Sequence, residues 1–249
     1  MTAMTRTGQV TLDILHGVLR SRAIQPTFQP VLRLADETVV AYEALARFHK
    51  DDFSSPDHAF TAAAEAGLGI ELEFLAMQRA LASLDGVPAG TYLSTNLSVE
   101  ALLDAQVQQT LLANAHRMIA VELTEHTQVH DYPQLVAVTE RLREAGILIA
   151  VDDAGAGFAS LSHILQLRPD IIKLDITLTS GIDRDPVRMA LARCLVGFAS
   201  DIGAMLIAEG IETAAEHDKL LELGLQLGQG YLLGRPAPLP KAALHLSRG

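Results

Sequence analysis

The chain has no tryptophan and one cysteine, Cys194, among its 249 residues. A single thiol cannot form an internal disulfide or a cysteine metal cluster, which is typical of a reducing compartment. No apolar run reaches the ~18 residues of a membrane span, and residues 1–22 contain charged side chains where a signal peptide has an unbroken apolar stretch. We therefore expect a cytoplasmic protein that makes no contact with a membrane.

Positive charge is also scarce. There are 19 lysines and arginines against 30 aspartates and glutamates, which gives a formal net charge of −11. A surface that binds a DNA or RNA duplex needs basic side chains to neutralise phosphates, so the charge balance argues against such a partner. An acidic protein that acts on an anionic substrate needs metal ions to mediate the contact. The composition, 49% hydrophobic and 20% charged, is otherwise that of an ordinary globular protein.

The order of apolar patterns predicts an α/β barrel. Two strand-like runs, about 27–34 and about 39–48, are joined by a turn short enough for an antiparallel hairpin. Strand-like and helical patterns then alternate without a linker, and one helix is expected over about 99–114. Because crossover helices make neighbouring strands parallel, this many repeats predict a closed, TIM-like (β/α) barrel, and the antiparallel first pair makes it a variant of that fold.

The two ends of the chain and one late helix complete the predicted organisation. Residues 1–22 are expected to form a tail, disordered to about Gly8, and a short helix, and residues 23–249 the barrel. A helix that starts at Pro186, capped by Asp185, repeats apolar residues at helical spacing. These residues predict its buried face and include Val187, Ala190, Leu191, Cys194, Leu195 and Phe198, so Cys194 is expected in the core.

The stretch from Ile147 to Phe158 contains the strongest single signal. An apolar strand-like run ends in the adjacent acids Asp152 and Asp153, and glycines at 155 and 157 follow. Two like charges about 4 Å apart cost roughly 4 kcal/mol at an effective dielectric constant near 20. A bound divalent cation or a raised pKa on one acid would relieve this repulsion. The alternative is a solvated turn that caps the next helix, whereas a dinucleotide fingerprint is disfavoured because Ser160 replaces its third glycine.

Polar residues also follow the other apolar runs of the predicted barrel. Because ligands gather at the carboxyl edge of such strands, we expect these side chains to converge there. Oxygen ligands without Cys or His select Mg²⁺ or Mn²⁺, and this many acids suit two ions about 3.5–4 Å apart. The alternative is a set of carboxylates paired with arginines around the rim. The residues are Glu43, Asn96, Glu122, Asp152, Asp153, Lys173, Glu209 and Gln229.

Seven ordered motifs carry a family resemblance between about Ile24 and Pro238. They are EALAR at 43–47 with QP at 29–30, NLS at 96–98, ELTE at 122–125, DDAGAGFASL at 152–161, IIKLD at 171–175, AEGIET at 208–213 and QGYLLGRP at 229–236. The chain resembles the EAL-domain cyclic di-GMP phosphodiesterases. The resemblance implies a (β/α)₈ barrel with an antiparallel first strand. It also implies hydrolysis of cyclic di-GMP to linear pGpG by water that two Mg²⁺ or Mn²⁺ ions activate.

The resemblance also implies a role for each motif residue. The metal ligands would be Glu43, Asn96, Glu122, Asp152 and Asp153, with Asp152 as the bridge. Lys173 would hold the attacking water, Gln229 would order it, and Glu209 would act as general base or support a cation through that water. Gln29, Leu45 and Arg47 would contact the nucleotide, and Glu125 would anchor the loop that begins at Asp153.

Three positions depart from the family pattern without removing a metal ligand. They are Ala154, Ala156 and Ile176, and they bear on the rigidity of the loop and its coupling to a dimer. His126, His130 and His163 are expected to be loop or surface residues. The family implies a homodimer and leaves room for an upstream sensor or regulatory partner. The alternatives are a catalytically silent receptor for cyclic di-GMP and a partner-binding domain that no longer takes nucleotide.

Overall fold

The structure is a computed structural model that describes residues 6–123, 129, 131–154 and 164–240. Side chains are described over the same ranges except at residues 6–8 and 153–154.

Eight strands form a closed barrel in chain order. Strand β1 is antiparallel to both of its neighbours, β2 and β8, and all other neighbouring strands are parallel. The predicted (β/α)₈ barrel with an antiparallel first strand is therefore confirmed. The strands are β1 Gln25–Arg33, β2 Thr38–Arg47, β3 Tyr92–Leu97, β4 Ile119–Leu123, β5 Leu148–Ala154, β6 Ile171–Leu174, β7 Met205–Ala208 and β8 Leu227–Gly228.

Helices surround the barrel. Within the described residues, no helix combines the length and the apolar character that crossing a bilayer requires. Residues 164–167 are helical as well, and Leu84–Gly86 is a 3₁₀ turn. The labelled helices are α1 Arg6–Ser21, α2 Pro56–Glu65, α3 Gly69–Leu81, α4 Val99–Leu103, α5 Ala105–Ala113, α6 Tyr132–Glu144, α7 Ile176–Thr179, α8 Pro186–Ile202 and α9 Ala214–Glu222.

The predicted helix over about 99–114 is two helices, because Asp104 interrupts it. Asp104 has an extended backbone, and its carboxylate accepts hydrogen bonds from the backbone N–H groups of Gln106 and Val107. An aspartate in this position caps a new helix rather than continuing the old one. The chain therefore turns between α4 and α5.

Helix α1 belongs to the helical layer of the barrel. Leu15 and Val18 on this helix are buried in a cluster with Leu72 and Leu75 of α3. The helix begins at Arg6, so the prediction of a disordered tail to about Gly8 is wrong for its last residues. The division of the chain at residue 22 stays a prediction.

Helix α8 begins and ends as its sequence predicts, but its buried face was misassigned. Asp185 accepts hydrogen bonds from the first turn, and Gly203 ends the helix with a φ of +73°. However, Val187 is 75% exposed, Leu191 is 42% exposed, and Cys194 is exposed. Expecting Cys194 in the core was therefore wrong.

The physical reason lies in the small side chains of α8. The fully buried positions of this helix are Ala192 and Ala199. Alanines allow a helix to lie close to the layer beneath it, whereas the large apolar residues recur on a face turned partly to water. Leu195 and Phe198 are partly buried against the main core. The prediction of a buried face on α8 is therefore correct only for these two residues.

Two glycines, one in β8 and one just after it, allow the backbone that follows β7 to pack closely against β8. A Cβ atom on Gly230 would lie 2.2 Å from the backbone N and O atoms of Ile211. The close approach allows Ile211 N to donate to Gln229 O at 3.1 Å, and Leu232 N to donate to Ile211 O at 3.0 Å. Gly228 is enclosed in a similar way by Leu34 and Ile211. The backbone after Glu209 is thus fixed against β8.

We expect Gly230→Ala to lower the free energy of unfolding by about 1–3 kcal/mol, because the added methyl displaces backbone rather than a flexible side chain. The matched control is Gly197→Ala, since Gly197 lies within α8 and, apart from the surrounding helix backbone, no described residue has an atom within 4 Å of the added Cβ. That change should raise stability by about 0.5–1 kcal/mol. Urea unfolding of both variants measures the difference, and an equal response at the two sites would contradict the close approach.

Candidate active site

Lys173 lies at the centre of a ring of acidic side chains. It is on β6, and only 1% of its surface is exposed. Four carboxylates lie within 3.5 Å of its Nζ atom: Glu122 Oε2 at 2.6 Å, Glu209 Oε1 at 2.6 Å, Asp152 Oδ1 at 3.4 Å and Glu43 Oε2 at 3.5 Å. We call Lys173 and these four acids the carboxylate ring.

The strands explain why residues distant in sequence meet here. Glu43, Glu122 and Asp152 lie on β2, β4 and β5, and Glu209 directly follows β7. Each follows apolar residues of its strand. Since these strands are parallel, their carboxyl ends share one face of the barrel. The convergence predicted for these residues is therefore present in the structure.

Two amides complete the ring around Glu43. Asn96 Nδ2 donates to Glu43 Oε1 at 2.9 Å, and Gln229 Nε2 donates to Glu43 Oε2 at 2.8 Å. The side-chain oxygen atoms of Asn96 and Gln229 take no part in these two hydrogen bonds. The Oε1 atom of Gln229 is buried, and no described residue gives it a hydrogen-bond donor. An orphaned buried acceptor of this kind is available to a cation, a water or a substrate group.

The positive charge of Lys173 is stabilised by its neighbours. Burial alone lowers the pKa of Lys173, but the adjacent carboxylates, Glu122 and Glu209 foremost, outweigh burial and hold that pKa well above its usual value. For the acid Glu43, burial has the opposite effect and raises the pKa. There the charge of Lys173 and the hydrogen bonds from Asn96 and Gln229 prevail, so the pKa of Glu43 is below its usual value. Lys173 and Glu43 are therefore ionised at neutral pH.

One ammonium group cannot compensate four carboxylates. Burial raises the pKa of Glu122 to about 8, with further repulsion from Glu43 and Asp152. Burial also raises the pKa of Glu209 to about 8, and Lys173 offsets this effect only in part. Near neutral pH, both acids therefore retain protons that a bound cation would have to displace.

The donor set fits a hard divalent cation. Carboxylate and amide oxygens surround the site, and these are the ligands that Mg²⁺ and Mn²⁺ prefer. In the described part of the chain, no three acids are arranged around a common point in the way a preformed cation site requires. The acids converge on Lys173 Nζ instead. Cation binding would therefore require deprotonation and small movements within the ring.

The residues predicted to contact nucleotide lie on the β1–β2 wall beside the ring. Gln29 is opposite Glu43 in the strand register, is buried, and donates from Nε2 to Gly234 O at 3.1 Å. Leu45 and Arg47 are partly buried on β2. Arg47 is four residues beyond Glu43, which is roughly 13 Å along a strand.

Among the described residues, the guanidinium of Arg47 makes one hydrogen bond, from Nη1 to Ala46 O at 2.9 Å. None of the ion pairs found among the described residues involves Arg47. A guanidinium in this situation can form a forked contact with a phosphate without first breaking a salt bridge.

Several predicted positions lie outside the described residues. They are the side chain of Asp153, the loop anchor Glu125, and the loop or surface histidines His126, His130 and His163. Of the three departures from the family pattern, Ala156 is also outside, and Ala154 is described only as backbone in β5. Ile176 is described and is 45% exposed. Its side chain lies over Gly210, where an added Cβ would approach Ile176 Cγ1 to 2.2 Å.

Sequence reasoning missed Glu216, which positions the segment that follows Glu209. Its Oε1 atom accepts from Gly181 N at 2.8 Å, and its Oε2 atom accepts from Glu212 N at 3.1 Å and Thr213 N at 2.9 Å. Burial raises the pKa of Glu216, but these backbone N–H groups outweigh burial and lower it. The available signal was the capping-box spacing Thr213-x-x-Glu216 before a helix.

A family model described as "EAL domain" matches residues 13–236. Among curated proteins, "Cyclic di-GMP phosphodiesterase NbdA" of Pseudomonas aeruginosa is 29% identical over 239 residues, which are 90% of this chain and 30% of that protein. "Probable cyclic di-GMP phosphodiesterase PdeB" of Escherichia coli K12 is 30% identical over 235 residues, which are 90% of this chain and 45% of that protein. The chain thus spans less than half the length of these relatives.

Two solved structures resemble the barrel. Klebsiella pneumoniae BlrP1 in a calcium and cyclic di-GMP complex has a TM-score of 0.77 and 30% identity, covering 86% of this chain and 56% of that one. The MucR phosphodiesterase in a complex with cyclic di-GMP has a TM-score of 0.80 and 26% identity, covering 92% of this chain and 97% of that one.

We expect stabilisation of the protein by Mg²⁺ to increase as the pH rises from about 6.5 to about 9. Glu122 and Glu209 have pKa values of about 8, so at a lower pH they hold protons that the cation must displace. Between the usual pKa of a glutamate and about pH 8, the unfolded chain has released the protons of these two acids and the folded protein has not. The free energy of unfolding of the metal-free protein therefore falls as the pH rises through this range. Melting temperatures with and without Mg²⁺, at constant ionic strength, measure the effect. A Mg²⁺-induced shift that is constant or falls with pH would contradict this electrostatic description.

Proposed function

Because this chain belongs to the EAL domain family, we propose that it hydrolyses cyclic di-GMP to linear pGpG with the help of Mg²⁺ or Mn²⁺. The observation that carries the proposal is the set of four acids around Lys173. Curated relatives bear the name of this activity, and cyclic di-GMP is bound in structures of BlrP1 and MucR.

The cation ligands in this proposal are Glu43, Asn96, Glu122, Asp152 and Asp153. The first four bring oxygen atoms to one face of the barrel, and the fifth follows Asp152 in β5. Two divalent ions held there would supply charge to stabilise the phosphate oxygens and to lower the pKa of a water. The orphaned Gln229 Oε1 supports the proposal, because it offers a further oxygen beside Glu43.

The remaining members of the ring have roles of their own in this proposal. Lys173 orients a water through its ammonium hydrogens, and its neighbours keep it charged at neutral pH. Glu209, with a pKa of about 8, is suited to take up a proton, which is the property of a general base. Glu209 can also support a cation through a water. Restoration of a Glu209→Gln variant by excess Mn²⁺ would distinguish this second role from the first.

The β1–β2 wall provides the nucleotide contacts. We assign Arg47 to a phosphate, because its guanidinium is partly exposed, and Gln29 and Leu45 to the nucleotide between that phosphate and the ring. Gln229 helps to order the water or the substrate near the cations. These contacts would hold the scissile phosphate over Lys173.

One observation favours a second function, a catalytically silent receptor for cyclic di-GMP. The described acids surround an ammonium group rather than a preformed cation site. A protein that kept this arrangement with nucleotide bound would signal through a partner without turnover. The four acids around Lys173, with Asp153 next in sequence, make hydrolysis the better-supported function.

The setting of the domain is also part of the proposal. We assign the protein to the cytoplasm and to a homodimer, and the partly exposed apolar residues Val187 and Leu191 on α8 support a contact with a second copy. Since the curated relatives are more than twice as long as the matched region, an upstream sensor or regulatory partner is compatible with this assignment.

We expect Glu43→Gln and Lys173→Met to reduce the rate of pGpG formation at least about 100-fold, because each removes a charge at the reacting centre. Arg47→Ala should act mainly on KM, raising it about tenfold through the loss of a phosphate contact. Chromatography of reactions with Mg²⁺ and with Mn²⁺ measures both effects.

The matched controls are Glu65→Gln and Arg20→Ala, which remove the same charges from exposed helix positions. Both should retain the rate and KM of the original protein. Tight binding of cyclic di-GMP without pGpG formation in either metal would replace hydrolysis by the receptor function. Absence of binding would leave the partner-binding alternative.

A further inference from the structure

The end of the barrel opposite the carboxylate ring contains a cavity of about 650 Å³. Its walls are the residues with which the parallel strands begin, and its rim is formed by the turns that lead into β3, β7 and β8. We call it the floor cavity, and its main apolar wall residues are Val31, Ala41, Ala120, Leu148, Ile171 and Ile207.

Small side chains in the middle of the barrel create this cavity. Ala41, Ser94 and Ala120, each two residues before Glu43, Asn96 or Glu122 on the same strand, line the cavity, where barrels usually have large branched residues that meet across the axis. Leu148 and Leu227, nearer the opening, are only partly buried. Glu122, a member of the carboxylate ring, lines the inner end, so the cavity reaches the ring from below.

Ser94 gives the floor cavity a polar group at its inner end. Only 4% of its surface is exposed, and no described residue is a hydrogen-bond partner of its Oγ atom. In the strand register Ser94 lies between Glu43 on β2 and Ala120 on β4. A buried hydroxyl without a partner is rare in folded proteins and indicates a missing partner.

Two features of the lining define the chemistry of that partner. Aliphatic walls favour an aliphatic body, and the hydroxyl of Ser94 can both donate and accept one hydrogen bond. The carboxylate of Glu43 is opposite Ser94 in the strand register, so an anionic group would be repelled there. Glu122 is already paired with Lys173 at 2.6 Å, so the site offers no free counter-charge to an amine.

We propose that the floor cavity binds a small neutral molecule with an aliphatic body and one hydroxyl group, which exchanges hydrogen bonds with Ser94. The site is separate from the nucleotide wall, because it opens at the other end of the barrel. Its volume lies within the range of small-molecule sites, about 300–1,000 Å³.

Water alone satisfies this cavity poorly. A buried water needs about two to four polar partners. Glu122 at the inner end is already bonded to Lys173 at 2.6 Å. The polar lining residues Arg33, Ser200 and Gln226 are exposed at the rim, and Tyr92 is half-buried. Waters filling the interior would therefore face mostly aliphatic groups, and an aliphatic ligand would displace them favourably.

The probe for the test is 1-hexanol, followed by NMR of isoleucine methyl groups in the whole chain without nucleotide or added cation. Saturable shifts are expected for Ile171 and Ile207, which line the cavity, and none for Ile70, which is on α3 and 38% exposed. Hexanoate, with the same chain length and a negative charge, should bind at least about fivefold more weakly, because the carboxylate of Glu43 repels it.

Two variants separate the contributions of the hydroxyl and the volume. Ser94→Ala should weaken hexanol binding about two- to tenfold, the usual effect of one hydrogen bond. Ala120→Val narrows the cavity and should weaken binding further. Ala150→Val is its matched control, because Ala150 belongs to the same interior cluster but does not line the cavity.

Absence of saturable shifts at Ile171 and Ile207 overturns the proposal and leaves the cavity to water. Equal shifts at Ile70 overturn it as well, since they show non-specific partitioning. If Ser94→Ala binds hexanol with unchanged affinity, the assigned hydrogen bond to Ser94 is wrong. This test of the hydrogen bond does not require that Ala120→Val folds. The readout does not involve hydrolysis, so its result is independent of the proposed function.

Discussion

The contact between one buried ammonium group and four carboxylates is the constraint on which the rest of the structure depends. Moving isolated charges of this kind from water into a barrel costs several kcal/mol for each ion. The cost is reduced because Lys173 pairs with its neighbours and because Glu122 and Glu209 retain protons near neutral pH. The ring remains rich in negative potential, which is the electrostatic condition for taking up divalent cations.

The barrel meets this constraint by combining rigid strands with close backbone contacts. Parallel strands bring the acids to one face, and Asn96 and Gln229 satisfy both oxygens of Glu43. Below the ring, small residues leave an open interior instead of a packed layer. The two ends of the barrel therefore differ in chemistry, with a charged end suited to a metal-dependent reaction and an aliphatic end suited to a neutral ligand.

The fold and most of the candidate site could be predicted from the sequence, because an apolar run that ends in a polar residue marks both a strand and its functional end. The orientation of α8 could not, since helical periodicity reports the spacing of large apolar side chains and not which face meets the sheet. The contact through Ala192 and Ala199 has no such signal. Nor could the unpaired hydroxyl of Ser94 be foreseen, because it depends on what its neighbours leave unsatisfied.

Uptake of divalent cations by the carboxylate ring can be examined by counting the ions that each chain binds. Equilibrium dialysis against Mn²⁺ at about pH 8.5, followed by elemental analysis, gives the number per chain under conditions where the raised acids are ionised. Two Mn²⁺ ions per chain are expected for the protein without nucleotide, and a loss of at least one in Asp152→Asn. An original protein that binds none, or an Asp152→Asn variant that binds as many as the original, would contradict this expectation.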